Sequence, residues 1–268
     1  MEAVVSCPFC HSSRHRSQCI PNFHDQLSLR AYWPTHDRPL DSPQRRSLLF
    51  RTIAHPILYF ALLALEDAPA RHKIRAERYC ARNFFPGQLS NFVVPSVASK
   101  KLKIGYFSGD FHLHPVSILI SAVLESHSKN DFEIYAYSLG NERDDMYDRI
   151  SKIVHKFKNV SKFSEIDIAR LARRDGIDIA IDLSGHTRGG RPQIFAHRAA
   201  PVQVSYLGFP GSMGSNFIDY IIVDKNLVPP ENQKYYSEKP IYLPRHYQAQ
   251  DSSLSLEKPF TISTCKPK

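Results

Sequence analysis

Three short stretches gather the residue types that handle phosphates, sugars and protons. The first is Ser108-Gly109-Asp110-Phe111-His112-Leu113-His114-Pro115, a carboxylate and two imidazoles between an apolar run and a proline. Proline is tolerated at the first helical position, and a helix N-terminus favours negative charge. The stretch is therefore a natural contact for an anion or a sugar-phosphate. Asp110 is a candidate base or hydrogen-bond acceptor, and His114 a candidate donor to a phosphate or sugar oxygen. The bland alternative is a helix cap at Asp110 beside an exposed His114. The second stretch is Ser184-Gly185-His186-Thr187-Arg188-Gly189-Gly190-Arg191-Pro192. Three Gly, two Arg, a His and a Thr before a helix suit a phosphate- or carbohydrate-facing loop. It lacks the Lys-Ser/Thr ending of a P-loop and the dinucleotide glycine spacing, so no dinucleotide cofactor is expected. The third is Leu207-Gly208-Phe209-Pro210-Gly211, whose glycines permit close backbone approach to a ligand. An ordinary tight turn reads the same way.

Other chemistries find no support. There is no Gly-x-Ser-x-Gly elbow, no His-Glu-x-x-His, and no Asp-x-Asp of the kind that clamps a metal-bound nucleotide. Asp178 and Asp182 share a strand face but stand about 13 Å apart, too far to share a proton or a metal. Asn159-Val160-Ser161 fits the glycosylation acceptor pattern, which means little without a secretory leader.

These loops need a scaffold of strands and helices. Leu102–Phe107, Phe132–Ser138, Ile177–Leu183, Val202–Leu207 and Asp219–Val223 read as strands, with a further short one at Phe157–Val160. Between them, Pro115–Ser126, Arg143–Phe157, Ser164–Asp175 and Pro192–His197 read as helices. Alternating strands and helices predict an α/β fold with a mostly parallel sheet. Ligands bind such sheets at the carboxyl ends of the strands, where all three stretches fall. Upstream, the run beginning at Pro56 is helical, Pro69 ends it, and Arg71–Arg82 forms a second amphipathic stretch. The expected divisions are an irregular extension over 1–45, a helical segment and linker over 46–100, a Rossmann-like domain over 101–250 and a tail over 251–268.

Composition narrows the partners. The chain has 268 residues, 42% hydrophobic and 23% charged, as in a folded globular protein. No run approaches the ~20 apolar residues of a membrane span, and the N-terminus lacks a charged-then-apolar leader, so a cytoplasmic protein is expected. Lys plus Arg number 35 against 26 acidic residues, a net +9, which points to an anionic partner. The basic residues are scattered and have no aromatic-rich strand beside them, so nucleic acid is not favoured and a phosphorylated small molecule fits at least as well. Five cysteines argue against a disulfide framework. Cys7, Cys10, His15 and Cys19 have the types, though not quite the spacing, of a small zinc knuckle, and would then belong to a nucleic-acid binder.

Taken together, residues from about Leu102 to Ser253 resemble the catalytic region of the O-GlcNAc transferase and SPINDLY family, its bacterial members most. The resemblance rests on Gly105-Tyr106-Phe107-Ser108 with Asp110-Phe111 and His114-Pro115, then Ile177–Leu183, Gly185, Thr187 and Arg191-Pro192. It continues through Phe195–Arg198, Ala200–Val204, Leu207-Gly208, Pro210-Gly211, Asp219-Tyr220 and Tyr236–Lys239. Residues Ala54–Arg82 are more weakly similar to the helical segment that precedes that region.

The resemblance implies a GT-B fold, two Rossmann-like domains facing across a cleft, of which this chain carries the first half behind a short helical segment. It implies transfer of a sugar from a nucleotide-sugar, here UDP-GlcNAc, to Ser or Thr of a protein acceptor, with inversion, no cofactor and no metal. Asp110 would take part in proton removal, with His114 beside it. His186, Thr187, Arg191, Leu207, Gly208, Pro210 and Gly211 would line the substrate side, and His55 is the nearest match to a His proposed as a base. Three departures follow. Leu113 stands where a polar residue is usual. No tetratricopeptide array precedes the catalytic region. The chain ends near Lys268, about where a second Rossmann-like domain should supply the uridine pocket and a Lys for the leaving diphosphate. Catalysis would then need that missing domain or a second chain, and an uncovered cleft face predicts marginal stability or self-association. The alternative is a non-catalytic module that binds a partner protein.

Overall fold

The hydrophobic pattern resolves into a three-layer sandwich. The computed structural model describes residues 56–65, 67–85 and 101–250. Two helices, α1 (Pro56–Leu65) and α2 (Pro69–Asn83), precede the sheet. The elements then alternate: β1 (Leu102–Ser108), α3 (Pro115–Ser126), β2 (Phe132–Ser138), α4 (Asp145–Ile153), β3 (Lys156–Asn159), α5 (Glu165–Asp175) and β4 (Ile179–Asp182). A single turn, α6 (Gln193–Ala196), leads to β5 (Val202–Ser205) and β6 (Tyr220–Val223). A 3₁₀ segment (Pro230–Tyr235) leads to β7 (Lys239–Tyr242). The strand order is β3-β2-β1-β4-β5-β6-β7 and every pairing is parallel. This is the doubly wound Rossmann-like order, with its reversal between β1 and β4.

Period-two alternation sorts the strands' side chains between the two faces. Ile104, Tyr106, Ile134, Ala136, Ile181 and Val204 face a core shared with Val116, Ile120 and Leu124 of α3 and Ile150 of α4. Phe107, Tyr135, Tyr137 and Ala180 face the other, with Ile168, Ala169 and Ala172 of α5 and Phe195 of α6. Ala76 and Cys80 of α2 join this second core. Strands covered on both sides read as nearly continuous apolar runs, which is why the sequence shows them so plainly.

The helix ends are written in the sequence. Ser164 Oγ accepts from the Asp167 N–H at 3.3 Å to open α5, and Gly176 closes it at φ 73°. Asp144 Oδ1 accepts from the Tyr147 N–H at 3.0 Å, which starts α4 two residues later than Arg143. Val154 is already extended, so α4 stops well short of Phe157. Pro69 opens α2 at its first position instead of only ending α1. β7 was not expected, because its Lys-Pro-Ile-Tyr sequence carries a proline and no apolar run. The zinc ligand set Cys7, Cys10, His15 and Cys19, the extension over 1–45, His55 and the tail over 251–268 lie outside the described residues. Among the described residues no helix is long and apolar enough to cross a membrane.

Candidate active site

The crevice lies where β1 and β4 part, and glycines bring three loops together there. The Gly109 N–H donates to Ser184 Oγ at 3.3 Å, joining the β1 and β4 loops. A Cβ on Gly109 would lie 2.9 Å from the Gly189 carbonyl oxygen, and one on Gly140 only 2.2 Å from that of Gly109. The Asp110 N–H donates to Ser108 Oγ at 3.0 Å, and Ser117 Oγ donates to the Asp110 carbonyl at 2.5 Å. The loop is thus fastened at both ends to β1 and α3.

His114 is the cap of α3, with its Nδ1 accepting from the Val116 N–H at 3.3 Å. That bond makes Nδ1 the acceptor of the neutral ring, so Nε2 carries the proton. The same Nδ1 lies 3.9 Å from Asp110 Oδ2. Burial pushes the Asp110 carboxyl above the ordinary carboxylate range, against the pull of His114 and His112.

A cavity of about 820 Å³ opens beside this pair. His114, Leu207, Gly208 and Pro210 all line it, so four of the residues singled out in the sequence meet at one place. Leu207 adopts φ 72°, and its carbonyl accepts from the Tyr247 hydroxyl. Gly208 runs so close to β4 that a Cβ would sit 2.1 Å from the Leu183 carbonyl oxygen. The far wall is polar: Asn226, His246 and Gln248, with Asp224 at its base. Asp224 accepts from the Asn226, Leu227 and Tyr247 N–H groups at 2.6–2.8 Å, which fastens the β6 loop to the segment after β7. These backbone N–H groups, Leu227 first, hold its carboxyl below the ordinary range.

The other residues singled out in the sequence lie elsewhere. His186 is 1% exposed, with Nε2 2.9 Å from the Met213 carbonyl and its ring among Tyr79, Phe84 and Phe209. The expectation that it faces a ligand is corrected: it is a core residue, and burial pushes its imidazole down to about 4. Arg191 is likewise turned away. Its guanidinium donates to Glu165 Oε1 at 2.9 and 3.0 Å and to the Phe163 carbonyl at 2.6 Å, tying the β4 loop to α5. Thr187 Oγ1 donates to the Ser184 carbonyl at 2.7 Å. Gly211 packs on Phe209 and Leu63 of α1.

A family model for glycosyl transferase family 41 matches residues 88–258. The chain belongs to that family. As a family 41 chain it is 38% identical over 205 residues to a probable UDP-N-acetylglucosamine–peptide N-acetylglucosaminyltransferase SEC of Arabidopsis thaliana. That match covers 75% of this chain and 21% of the relative. A UDP-N-acetylglucosamine–peptide N-acetylglucosaminyltransferase of Caenorhabditis elegans is 35% identical over 152 residues, 55% of this chain and 13% of its own. Among solved structures, an O-GlcNAc transferase mutant of Thermobaculum terrenum superposes with TM-score 0.67 at 35% identity, covering 73% of this chain and 38% of that one. The family 41 chain therefore spans about a fifth or less of these curated relatives. Its fold is the Rossmann-like sheet of a GT-B glycosyltransferase region.

Two features of the site were not legible in the sequence. The polar wall comes from loops after β6 and β7, and only the strand order brings them beside His114. The partner of His112, Glu142 at 3.4 Å, belongs to a loop with no motif.

Proposed function

We propose that this chain is the acceptor-side half of a protein O-glycosyltransferase. The reaction is metal-independent, inverting transfer of GlcNAc from UDP-GlcNAc to Ser or Thr hydroxyls, in the cytoplasm. One observation carries the reading: His114, whose Nδ1 is 3.9 Å from Asp110 Oδ2, lines a cavity together with Leu207, Gly208 and Pro210. The acceptor oxygen attacks the anomeric carbon, the bond from that carbon to the diphosphate oxygen breaks, and UDP leaves with the electron pair. The hydroxyl proton passes to Asp110. A carboxylate raised towards neutrality by burial is a better proton acceptor than an exposed one, because Brønsted behaviour favours a base matched to the working pH. The Nε2 proton of His114 is left to donate to a sugar or phosphate oxygen in the cavity.

The test is transfer of labelled GlcNAc from UDP-GlcNAc to a Ser/Thr peptide by the chain mixed with the second Rossmann-like domain of a family 41 relative. We expect a β-linked product, rates unchanged by EDTA, and a loss of about 10²–10⁴-fold in Asp110→Asn. A folded chain that transfers nothing even with that domain present would favour the non-catalytic module instead. Full transfer by Asp110→Asn would remove Asp110 from the chemistry.

A further inference from the structure

Basic residues that stand apart in the sequence are gathered on the outer side of α5. A second cavity, of about 640 Å³, opens there. It is lined by Lys162 and Phe163 from the turn before the helix and by Arg170, Arg173 and Arg174 from the helix itself. Spacings of three and four place these arginines on one helical face. Asp167 is the one carboxylate in the lining. Its Oδ2 accepts from Ser164 Oγ at 2.5 Å and its Oδ1 from Arg170 Nη1 at 3.4 Å. Glu165, the other acid at this end of α5, is taken up by Arg191 at 2.9 and 3.0 Å. Arg173 donates to the carbonyls of Arg198 and His197, which leaves its positive charge in place. The side chains of Lys162 and Arg174 are exposed and have no hydrogen bond or ion pair among the described residues. Phe163 adds an exposed ring. The groove is also joined to the crevice. Arg191 donates to the Phe163 carbonyl at 2.6 Å, and Gly189 of the same β4 loop lies against Gly109. Arg188, exposed on that loop, adds a further cation.

We propose that this groove docks an acidic peptide segment. On the reading of the chain as a protein glycosyltransferase, on which this further step rests, the segment belongs to the acceptor and flanks the Ser or Thr that enters the crevice. Lys162, Arg170, Arg173 and Arg174 against Asp167 alone make the groove positive, and a concave wall focuses that field. Three of these cations are arginines, whose planar fork pairs a carboxylate through two parallel bonds. From Glu165 to Arg174 the helix rises about 14 Å, a span that about four or five extended residues cover. Acids spaced along such a segment meet Lys162 near one end and Arg174 at the other, and an apolar neighbour rests on Phe163. Asp167 decides between partners. A fixed carboxylate between Lys162 and Arg170 repels the unbroken phosphate line of a nucleic acid, whereas a peptide can set a neutral residue opposite it.

The experiment is fluorescence anisotropy of the full chain with a labelled Asp- and Glu-rich peptide of about eight residues around a central Ser, at about 50 mM salt, with no sugar donor present. The comparison ligands are the same peptide with Asn and Gln for its acids, and a labelled oligouridylate of equal charge. We expect the acidic peptide to bind at least about tenfold more tightly than the neutral one, and Lys162→Glu with Arg174→Glu to lose at least about tenfold. Lys129→Glu with Lys152→Glu makes the same change of charge in the α3–β2 turn and α4, and should leave the affinity within about twofold. Equal affinity for the acidic and neutral peptides would overturn the proposal. So would an equal loss in the two double variants, which means a general field and no groove, or tighter binding of the oligouridylate. Melting temperatures establish that the variants fold, and Lys162→Gln with Arg174→Gln is the milder pair if the reversed one melts early. A chain that binds the acidic peptide yet transfers no sugar supports the groove and counts against the proposed function. A chain that transfers sugar but shows no preference for acids does the reverse.

Discussion

Two buried titratable side chains beneath the crevice make opposite demands on pH. His186 is held neutral, and burial lowers its imidazole to about 4. Its contribution to stability is present above the unfolded value near 6.5 and is lost as pH falls towards 4. Asp182 is 1% exposed, and burial raises its carboxyl to about 6 against the N–H groups of Gly185 and Ser184. Its contribution is full below about 4 and is lost as pH rises through 6. Glu238, also raised by burial, acts in the same sense as Asp182. Between pH 4 and 6 these effects largely cancel. His186→Gln should therefore gain stability relative to wild type as pH falls, and Asp182→Asn should lose it, each by on the order of 3 kcal/mol across the range. Urea unfolding at pH 4, 5, 6 and 7 checks this, and parallel curves for all three proteins would refute it. Types and spacing placed Asp110, His114, Leu207, Gly208 and Pro210 near one another. They misplaced His186 and Arg191, because a motif states which residue follows a strand and not whether its side chain turns in or out. Met213 and Glu165, the partners that turn these two away, lie 26–27 residues off in sequence.

At the scale of elements, the loops are set by backbone contacts that no side chain could survive. Gly208 has no room: its Cβ would overlap the Leu183 carbonyl. Gly208→Ala should cost at least about 2 kcal/mol, since backbone cannot yield as a flexible side chain can. Gly189 sits at φ 83°, and a Cβ there would meet only the Gly109 Cα, at an ordinary contact distance of 3.8 Å. Gly189→Ala should cost only the left-handed strain, about 1–2 kcal/mol. Urea midpoints for the two variants test the ranking. The long elements were legible because their cause is local. α3 and β2 have the expected bounds, one opened by Pro115 and the other carrying the apolar run Ile134-Tyr135-Ala136-Tyr137. β7 was hidden because an edge strand forms by pairing with β6, and pairing leaves no signature in four residues.

The whole molecule depends on a helix from outside the sheet. α2 buries Ala76, Tyr79 and Cys80, and Tyr79 and Phe84 close over His186. Gly214, at φ 64°, is pressed against the backbone of Ala76 and Glu77. The amphipathic face of this helix is legible in Arg71–Arg82, but the surface it packs on is not. A chain beginning at Lys101 should lose on the order of 3 kcal/mol through these aromatics, melting about 6–12 °C lower and binding ANS. An unchanged melting temperature would mean that α2 is only an appendage.

The central pairing of the sheet also has a consequence in time. β1 joins β4 across 75 residues, as Gly105 does Ala180, and the crevice floor exists only once that pairing has formed. On a ribosome adding ~5–20 residues per second, β1 waits roughly 4–15 s for its neighbour. Throughout that interval one edge of an apolar strand is unpaired and open to a wrong partner. The loop after β1 is thus translated early and shaped late, so slow or crowded synthesis should reduce the yield of folded chains before any variant alters the stability of the finished fold.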